Sequence, residues 1–329
     1  MQARLTIDGR DIAVDLSRPA DLALELDFSG PQPRHFGAPR ASSRPYETPG
    51  FGFRGSVERG GSCNCELITL IPHCNGTHTE CAGHLTRERL DAWRVAPAGL
   101  VPAVLLSVAA VAPGDEGSDP APQPGDRLIT RRALEQAWPA SVPFLPRAAV
   151  IRTLPNNPEK RARDYTGQIP PYLSQEAARL LVSRGVLHLV VDVPSIDRAH
   201  DEGRLTAHRL FFGLPRAAVE LAAATRPAAT ITELAFVPDR VADGAYLLEL
   251  QVPALSGDAV PSRPLLYAVT DHTAGAPRIR SRPHRRATRA IRSPPFARAS
   301  PCHSQRAASR SPTAAAIRWD SCRARPASG

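Results

Sequence analysis

From Pro72 to His84 the chain reads Pro-His-Cys-Asn-Gly-Thr-His-Thr-Glu-Cys-Ala-Gly-His, so three His, one Glu and two Cys fall in one short segment. Imidazole, carboxylate and thiolate are the side chains that bind zinc and related divalent ions, and a segment this dense can supply most of a coordination shell alone. In an extended conformation residues two apart share a face. Cys74, His78 and Glu80 then point the same way with Gly76 leaving room for an ion, while His73 faces the other side unless a bulge shifts the register. The first ligand is therefore either His73 or Cys74. A four-cysteine zinc site from Cys63, Cys65, Cys74 and Cys81 is disfavoured, because the paired CxxC spacing is missing.

The segment resembles the HxGTHxDxPxH signature of the metal-dependent cyclase and kynurenine formamidase family. Other stretches resemble that family in the same order. They are Asp15-Leu16-Ser17-Arg18-Pro19, Gly60-Gly61-Ser62, Val191 to Asp197 (the DxPSxD loop), Ala207-His208-Arg209 and Ile231-Thr232-Glu233-Leu234, together covering residues 12 to 268. Aligning Gly76-Thr77-His78 on the GTH core places Cys74 at the family's first His, Glu80 at its Asp and Ala82 at its Pro, and keeps His78 and His84.

The resemblance implies a single α/β domain of the cyclase/kynurenine formamidase type, swivelling β/β/α-like, with a mixed central sheet and flanking helices. It implies that His78, Glu80, His73 or Cys74, His208 and Glu233 hold one or two divalent ions, zinc or alternatively manganese. His84 would carry the proton from attacking water to the leaving amine. The implied reaction is hydrolysis of a C–N amide bond in an aryl formamide, as in the N-formylkynurenine of tryptophan catabolism, or in an isatin-like lactam. A homodimer or homotetramer is implied as well. The alternative is a family member whose altered ligands at positions 74 and 80 leave it binding a small aromatic ligand without turnover. Trp93, Phe51, Phe53, Phe211 and Phe212 are the candidate pocket aromatics.

Charge argues against a nucleic-acid partner. The formal net charge is +9, but residues 271–329 hold 13 Arg and 2 Asp, which leaves residues 1–270 at −2. The excess sits in an Arg, Ser, Pro and Ala stretch with no apolar period, as in Arg280-Ser281-Arg282-Pro283-His284-Arg285-Arg286, which cannot bury enough surface to offset its ordering entropy. Residues 1–269 are read as the hydrolase domain and 270–329 as a disordered basic tail, with the composition of a GC-rich coding region read out of frame. Met1 to Asp15 carries Arg4, Asp8, Arg10 and Asp11 and no apolar core of a targeting signal. The longest apolar stretch, Gly99 to Pro113, is too short for a bilayer span and is broken by Pro102. No membrane association, reduced thiols and a cytoplasmic location are expected.

These ligands need a frame that brings distant segments together. Arg4–Ile7 and Ile12–Leu16 read as a hairpin around Asp8-Gly9, and residues 29–55, rich in proline, as a loop over the site. Cys65–Pro72, Val101–Val111 and Ala148–Leu154 read as strands. Ser174–Gly185 reads as a helix with Ser174 as N-cap, followed by a strand over Val186–Val193 that delivers Asp192 and Ser195 to its C-terminal end. His188 is expected in the core, and Asp192 and Asp197 are expected to serve a turn. Glu220, in an Ala-rich run from Arg216 to Thr225 read as an inserted helix, competes with Glu233 as the late carboxylate.

Overall fold

The β-branched and aliphatic runs form strands, and those at the centre of the sheet are buried on both faces. In the computed structural model, which describes residues 1–271, ten strands lie side by side in one mixed sheet. In chain order they are β1 (Gln2–Ile7), β2 (Arg10–Asp15), β3 (His78–Cys81), β4 (Val101–Ala109), β5 (Ala148–Leu154), β6 (His188–Val191), β7 (Thr230–Glu233), β8 (Gly244–Gln251), β9 (Ala259–Pro261) and β10 (Arg263–Asp271). Their spatial order is β1-β2-β10-β8-β4-β5-β6-β7-β3-β9, and Ala20–Asp21 adds a short pairing along β10. The four central strands β4 to β7 are parallel and the flanking pairs are antiparallel.

Parallel neighbours require crossover connections. Three helices lie in them: α1 (Arg131–Ala137), α2 (Gln175–Ser183) and α3 (Thr206–Phe212). Val104, Leu106, Ala149, Ile151, Leu189 and Ile231 face the helices and pack with Leu134, Leu181 and Phe211, whereas Ala103, Leu105, Val150 and Val190 lie on the opposite face, shared with Tyr246 and Leu248 of the same sheet and packed with Leu22, Ala235 and Val237. Ser174 caps α2 by accepting from Ala177 N at 2.9 Å. The hairpin, the strands at Val101 and Ala148, the capped helix and the strand after it stand where the sequence placed them.

Other expectations change. The run entering the motif forms only the exposed strand Glu66–Thr69, which pairs with Ser42–Pro45 outside the central sheet. The Ala-rich run from Arg216 is turns and one 3-10 turn over Leu221–Ala223, because Ala217 sits at φ 62° and the stretch is too short to nucleate a helix unaided. The expected basic tail lies outside the described residues, except that Thr270 and Asp271 complete β10. Among the described residues no helix is long and apolar enough to cross a membrane.

Asp192 is structural, but it serves a junction between strands rather than its own turn. Its carboxylate accepts from Thr153 N at 2.9 Å, Thr153 Oγ1 at 2.8 Å and Lys160 Nζ at 3.0 Å, joining the ends of β5 and β6. His188 is buried in β6 with Nδ1 2.9 Å from Thr230 Oγ1. Burial, with the charges of Arg147 and Arg226 behind it, depresses its pKa from 6.5 to about 4. A neutral imidazole that charges readily only after unfolding destabilises the fold as pH falls. The contribution is therefore present above the ordinary pKa near 6.5 and is lost toward pH 4, up to about 3 kcal/mol. Urea denaturation of His188→Gln is expected to show a flatter loss of stability between these pH values than the wild type; parallel curves would contradict the assignment.

Candidate metal centre

The site forms where β3 is inserted between β7 and β9. The register sets His78 beside Glu233 on β7 and beside Pro261 on β9, and sets Glu80 beside Ile231 and Ala259. His78 and Glu80, two apart, share one face as a strand requires. Thr79 faces the other way, its hydroxyl 2.7 Å from that of Thr232. Both His78 and Glu80 are essentially without solvent exposure.

Gly76 makes the approach to β3 possible. Its φ is +102°, a conformation that side chains rarely adopt, and a Cβ there would lie 2.9 Å from Leu26 Cδ2. The space beside Gly76 therefore belongs to Leu26 rather than to an ion. Thr77 fixes the turn, donating to Leu234 O at 2.6 Å and accepting from Leu24 N at 2.8 Å.

Residues 72–77 turn instead of extending, and this brings the His73 ring, not the Cys74 sulfur, to Glu80. His73 swings inward without a bulge, placing Nδ1 3.0 Å from Glu80 Oε2 and Nε2 2.8 Å from Asp258 Oδ2. Cys74 is held by its main chain, donating to Ile71 O and accepting from His35 N. Burial raises its thiol pKa, and its sulfur joins none of the metal-capable groups among the described residues. Cys74, read as a possible ligand, lies outside the cluster for this reason.

Two distant segments complete the cluster. Asp197 caps α3 by accepting from Ala207 N and His208 N, and its Oδ2 also accepts from His208 Nδ1 at 2.7 Å. That bond fixes the ring so that Nε2 faces inward, 2.7 Å from Glu80 Oε1 and 3.5 Å from Glu233 Oε1. Glu233 ends β7, and its Oε1 accepts from Ile196 N at 2.8 Å. Glu220, by contrast, is exposed. His84 follows β3 on the turn Ala82–Leu85, with Nδ1 3.2 Å from Asp258 Oδ2 and Nε2 4.0 Å from Glu80 Oε2. Its side chain is 27% exposed, against 1% for Glu80, so it stands at the mouth of the site.

The donor set fits a metal ion. His78 Nδ1 is committed to Gly76 O at 3.0 Å, so Nε2 is the atom turned into the site, and it has no hydrogen-bond partner. Glu80 Oε1 lies close to His208 Nε2 yet makes no hydrogen bond of acceptable geometry. Buried polar atoms left this way call for a missing partner, and here they converge with His73 Nδ1 and Glu233 on common points. His73, His78 and Glu80 form one metal-capable group and Glu80, His208 and Glu233 another, so the two share Glu80.

Without an ion, protons must hold these groups together. Glu80 is driven well below the ordinary carboxylate range: burial opposes this, but His208 and His84 outweigh it. His208 is pushed well above 6.5 despite burial, chiefly by Glu80 and Asp197. His73 rises to about 10 against burial, through Asp258 and Glu80.

The family model described as "Putative cyclase" matches residues 14–198, more than half of the chain. The chain belongs to the cyclase family. Solved structures similar to this cyclase-family chain include a potential metal-dependent hydrolase with cyclase activity, at 17% identity and a TM-score of 0.50, covering 76% of this chain and 97% of that one. Isatin hydrolase A from Labrenzia aggregata, bound to benzyl benzoate, has 17% identity and a TM-score of 0.50, covering 76% of this chain and 93% of its own. An isatin hydrolase bound to the product analogue thioisatinate has 15% identity and a TM-score of 0.50, with 76% and 92% covered. Likeness at these identities is likeness of fold. No curated protein matches the chain.

Of the site residues read from the sequence, the structure gathers His73, His78, Glu80, His208, Glu233 and His84 and leaves Cys74 outside the cluster. Among the aromatics, Phe212 lies 6.3 Å from His208 between ring centroids, Phe211 is core, and Phe51 is exposed. Two residues went unread. Asp258 binds both His73 and His84, and His35, buried on the proline-rich loop with neither ring nitrogen paired, is kept neutral by burial and by His200 and His78, its pKa lowered to about 4. The loop itself is tied to the motif: Asn75 Nδ2 donates to Pro39 O, and Arg34 pairs with Asp164 at 2.6 Å.

The exchange of roles between His73 and Cys74 has a direct readout. Cys74→Ser is expected to leave metal affinity within about twofold of wild type. His73→Ala is expected to weaken it by more than the ~10–100-fold that follows loss of an outer partner of a metal ligand. Chelator competition on both variants measures this, and the reverse order would restore the thiolate as ligand.

Proposed function

We propose that this cyclase-family protein hydrolyses the C–N amide bond of an aryl formamide or of a cyclic aryl amide of the isatin type, using one or two divalent ions. The observation that carries the reading is the convergence of three imidazoles and two carboxylates, two of whose buried atoms make no hydrogen bond, on two positions that share Glu80. An all-nitrogen and oxygen donor set suits zinc or manganese and gives no thiolate argument for zinc. When bound, such an ion supplies Lewis-acid polarisation of a carbonyl and acidifies water at neutral pH.

The residues of the chain do the rest. Asp197 and Ile196 hold His208 and Glu233 in position, so no reorganisation is needed when substrate arrives. His84, at the mouth with Nδ1 turned to Asp258, keeps Nε2 free to take a proton from the attacking water and return it to the leaving nitrogen. A histidine suits both transfers because its ordinary pKa lies near neutrality. The reading as an inactive binder rested on the substitutions at positions 74 and 80, and His73 supplies a donor for the first of them.

The test is metal content by inductively coupled plasma mass spectrometry on protein purified without chelator, followed by turnover of N-formylkynurenine, isatin and simple aryl formamides. One or two equivalents of metal with hydrolysis of one of these classes is expected. A folded protein that refuses added zinc and manganese would sink the proposal.

A further inference from the structure

A single carboxylate oxygen joins the two halves of the site. Asp258 Oδ2 lies 2.8 Å from His73 Nε2 and 3.2 Å from His84 Nδ1, and the two rings stand 4.2 Å apart, tilted by 30°. Asp258 lies beyond the residues matched by the family model, on the loop entering β9. Its main chain is anchored independently of its side chain: Cys81 N donates to Asp258 O, and Ala92 N to Gly257 O.

We propose that Asp258 is a positioning residue that sets the tautomers of both histidines. A carboxylate oxygen only accepts, so each ring must present N–H to it. His73 then donates from Nε2 and keeps its Nδ1 lone pair for the position facing Glu80. His84 donates from Nδ1 and keeps Nε2 for proton transfer. A carboxylate behind a ligating imidazole fixes its orientation and raises its basicity. Asp258 does this for His73 while also orienting the acid/base residue, so metal affinity and proton transfer share one anchor.

The same three groups do not make a separate metal site alongside the inner one. With Nδ1 engaged inside, His73 would have to give up its second proton and become an imidazolate to serve both.

The proposal rests on the reading of His73 as a metal ligand, and its test separates the two. Wild type, Asp258→Ala and Asp258→Asn are compared for zinc affinity by chelator competition. The tautomer of His84 is read from its imidazole ¹⁵N shifts in metal-free protein. Asp258→Ala is expected to bind zinc about 10–100-fold more weakly at unchanged stoichiometry, with His84 leaving the Nδ1–H form. Asp258→Asn, which keeps one acceptor oxygen and loses the charge, should fall between, and circular dichroism should match wild type throughout. Unchanged affinity and an unchanged His84 tautomer in Asp258→Ala would overturn the proposal. So would loss of a whole equivalent of zinc, which would make Asp258 a ligand. A wild type that binds zinc but hydrolyses no amide would sink the hydrolase reading, and the affinity ratio and tautomer would still decide the role of Asp258.

Discussion

Glu80→Ala is expected to lose all bound metal and all measurable hydrolysis while remaining folded near neutral pH. Among the described residues three groups are metal-capable, and Glu80 belongs to the two inner ones (the third is His73, His84 and Asp258), so its removal takes a donor from each of those two, whereas removal of His78 or Glu233 takes a donor from one only. Its carboxylate is also the negative centre of a buried basic cluster, 2.7 Å from His208, 3.0 Å from His73 and 4.0 Å from His84. Without it a protonated His208 still has Asp197 at 2.7 Å and Glu233 at 3.5 Å, so no buried charge is left without a counter-charge and folding should survive at neutral pH. Glu80→Gln separates the two effects, since it keeps the volume and one acceptor oxygen. Inductively coupled plasma mass spectrometry on both variants, beside thermal melts, is the measurement. Metal at wild-type stoichiometry in Glu80→Ala would show that the two groups do not share their centre.

Much of this site could be read before the fold was known, because a strand imposes its period on whatever residues it carries. His78 and Glu80 share a face for that reason, and they do so in β3. His208 and Glu233 came from resemblance alone, since no local pattern reveals that α3 and the end of β7 converge on β3. The sequence leaves His73 and Cys74 as alternatives for a definite cause: the extended period does not hold upstream of a glycine at φ +102°, which ends the strand geometry and lets the His73 ring turn inward. Asp258 gave no signal. Ser-Gly-Asp reads as an ordinary turn, and its partners are 185 and 174 residues away along the chain. The Ala-rich run from Arg216 misled in the opposite way, since composition favoured a helix that its length and a left-handed Ala217 deny. Propensity and period act over a few residues, whereas the site is defined by sheet order and by side chains that reach across it.

His84→Ala is expected to keep its metal and lose its turnover. His84 belongs to neither of the groups that share Glu80, and its Nε2 stands 4.0 Å from Glu80 Oε2, farther than the nearest ring nitrogens of His208 at 2.7 Å and His73 at 3.0 Å. Metal stoichiometry should therefore match wild type. Asp258 would still accept from His73 at 2.8 Å, so that ligand stays oriented. Positioned acid/base groups typically contribute about 10²–10⁴-fold to rate, and kcat should drop by that factor on whichever aryl amide the wild type cleaves, with little change in KM. Since the His84 side chain is 27% exposed, its truncation leaves a cleft that solvent reaches. Added imidazole can enter such a cleft, and partial recovery of kcat with rising imidazole concentration would assign the missing function to proton transfer rather than to shape. Full activity in His84→Ala with normal metal content would take His84 out of the reaction. The proton would then have to pass through another group at the mouth of the site.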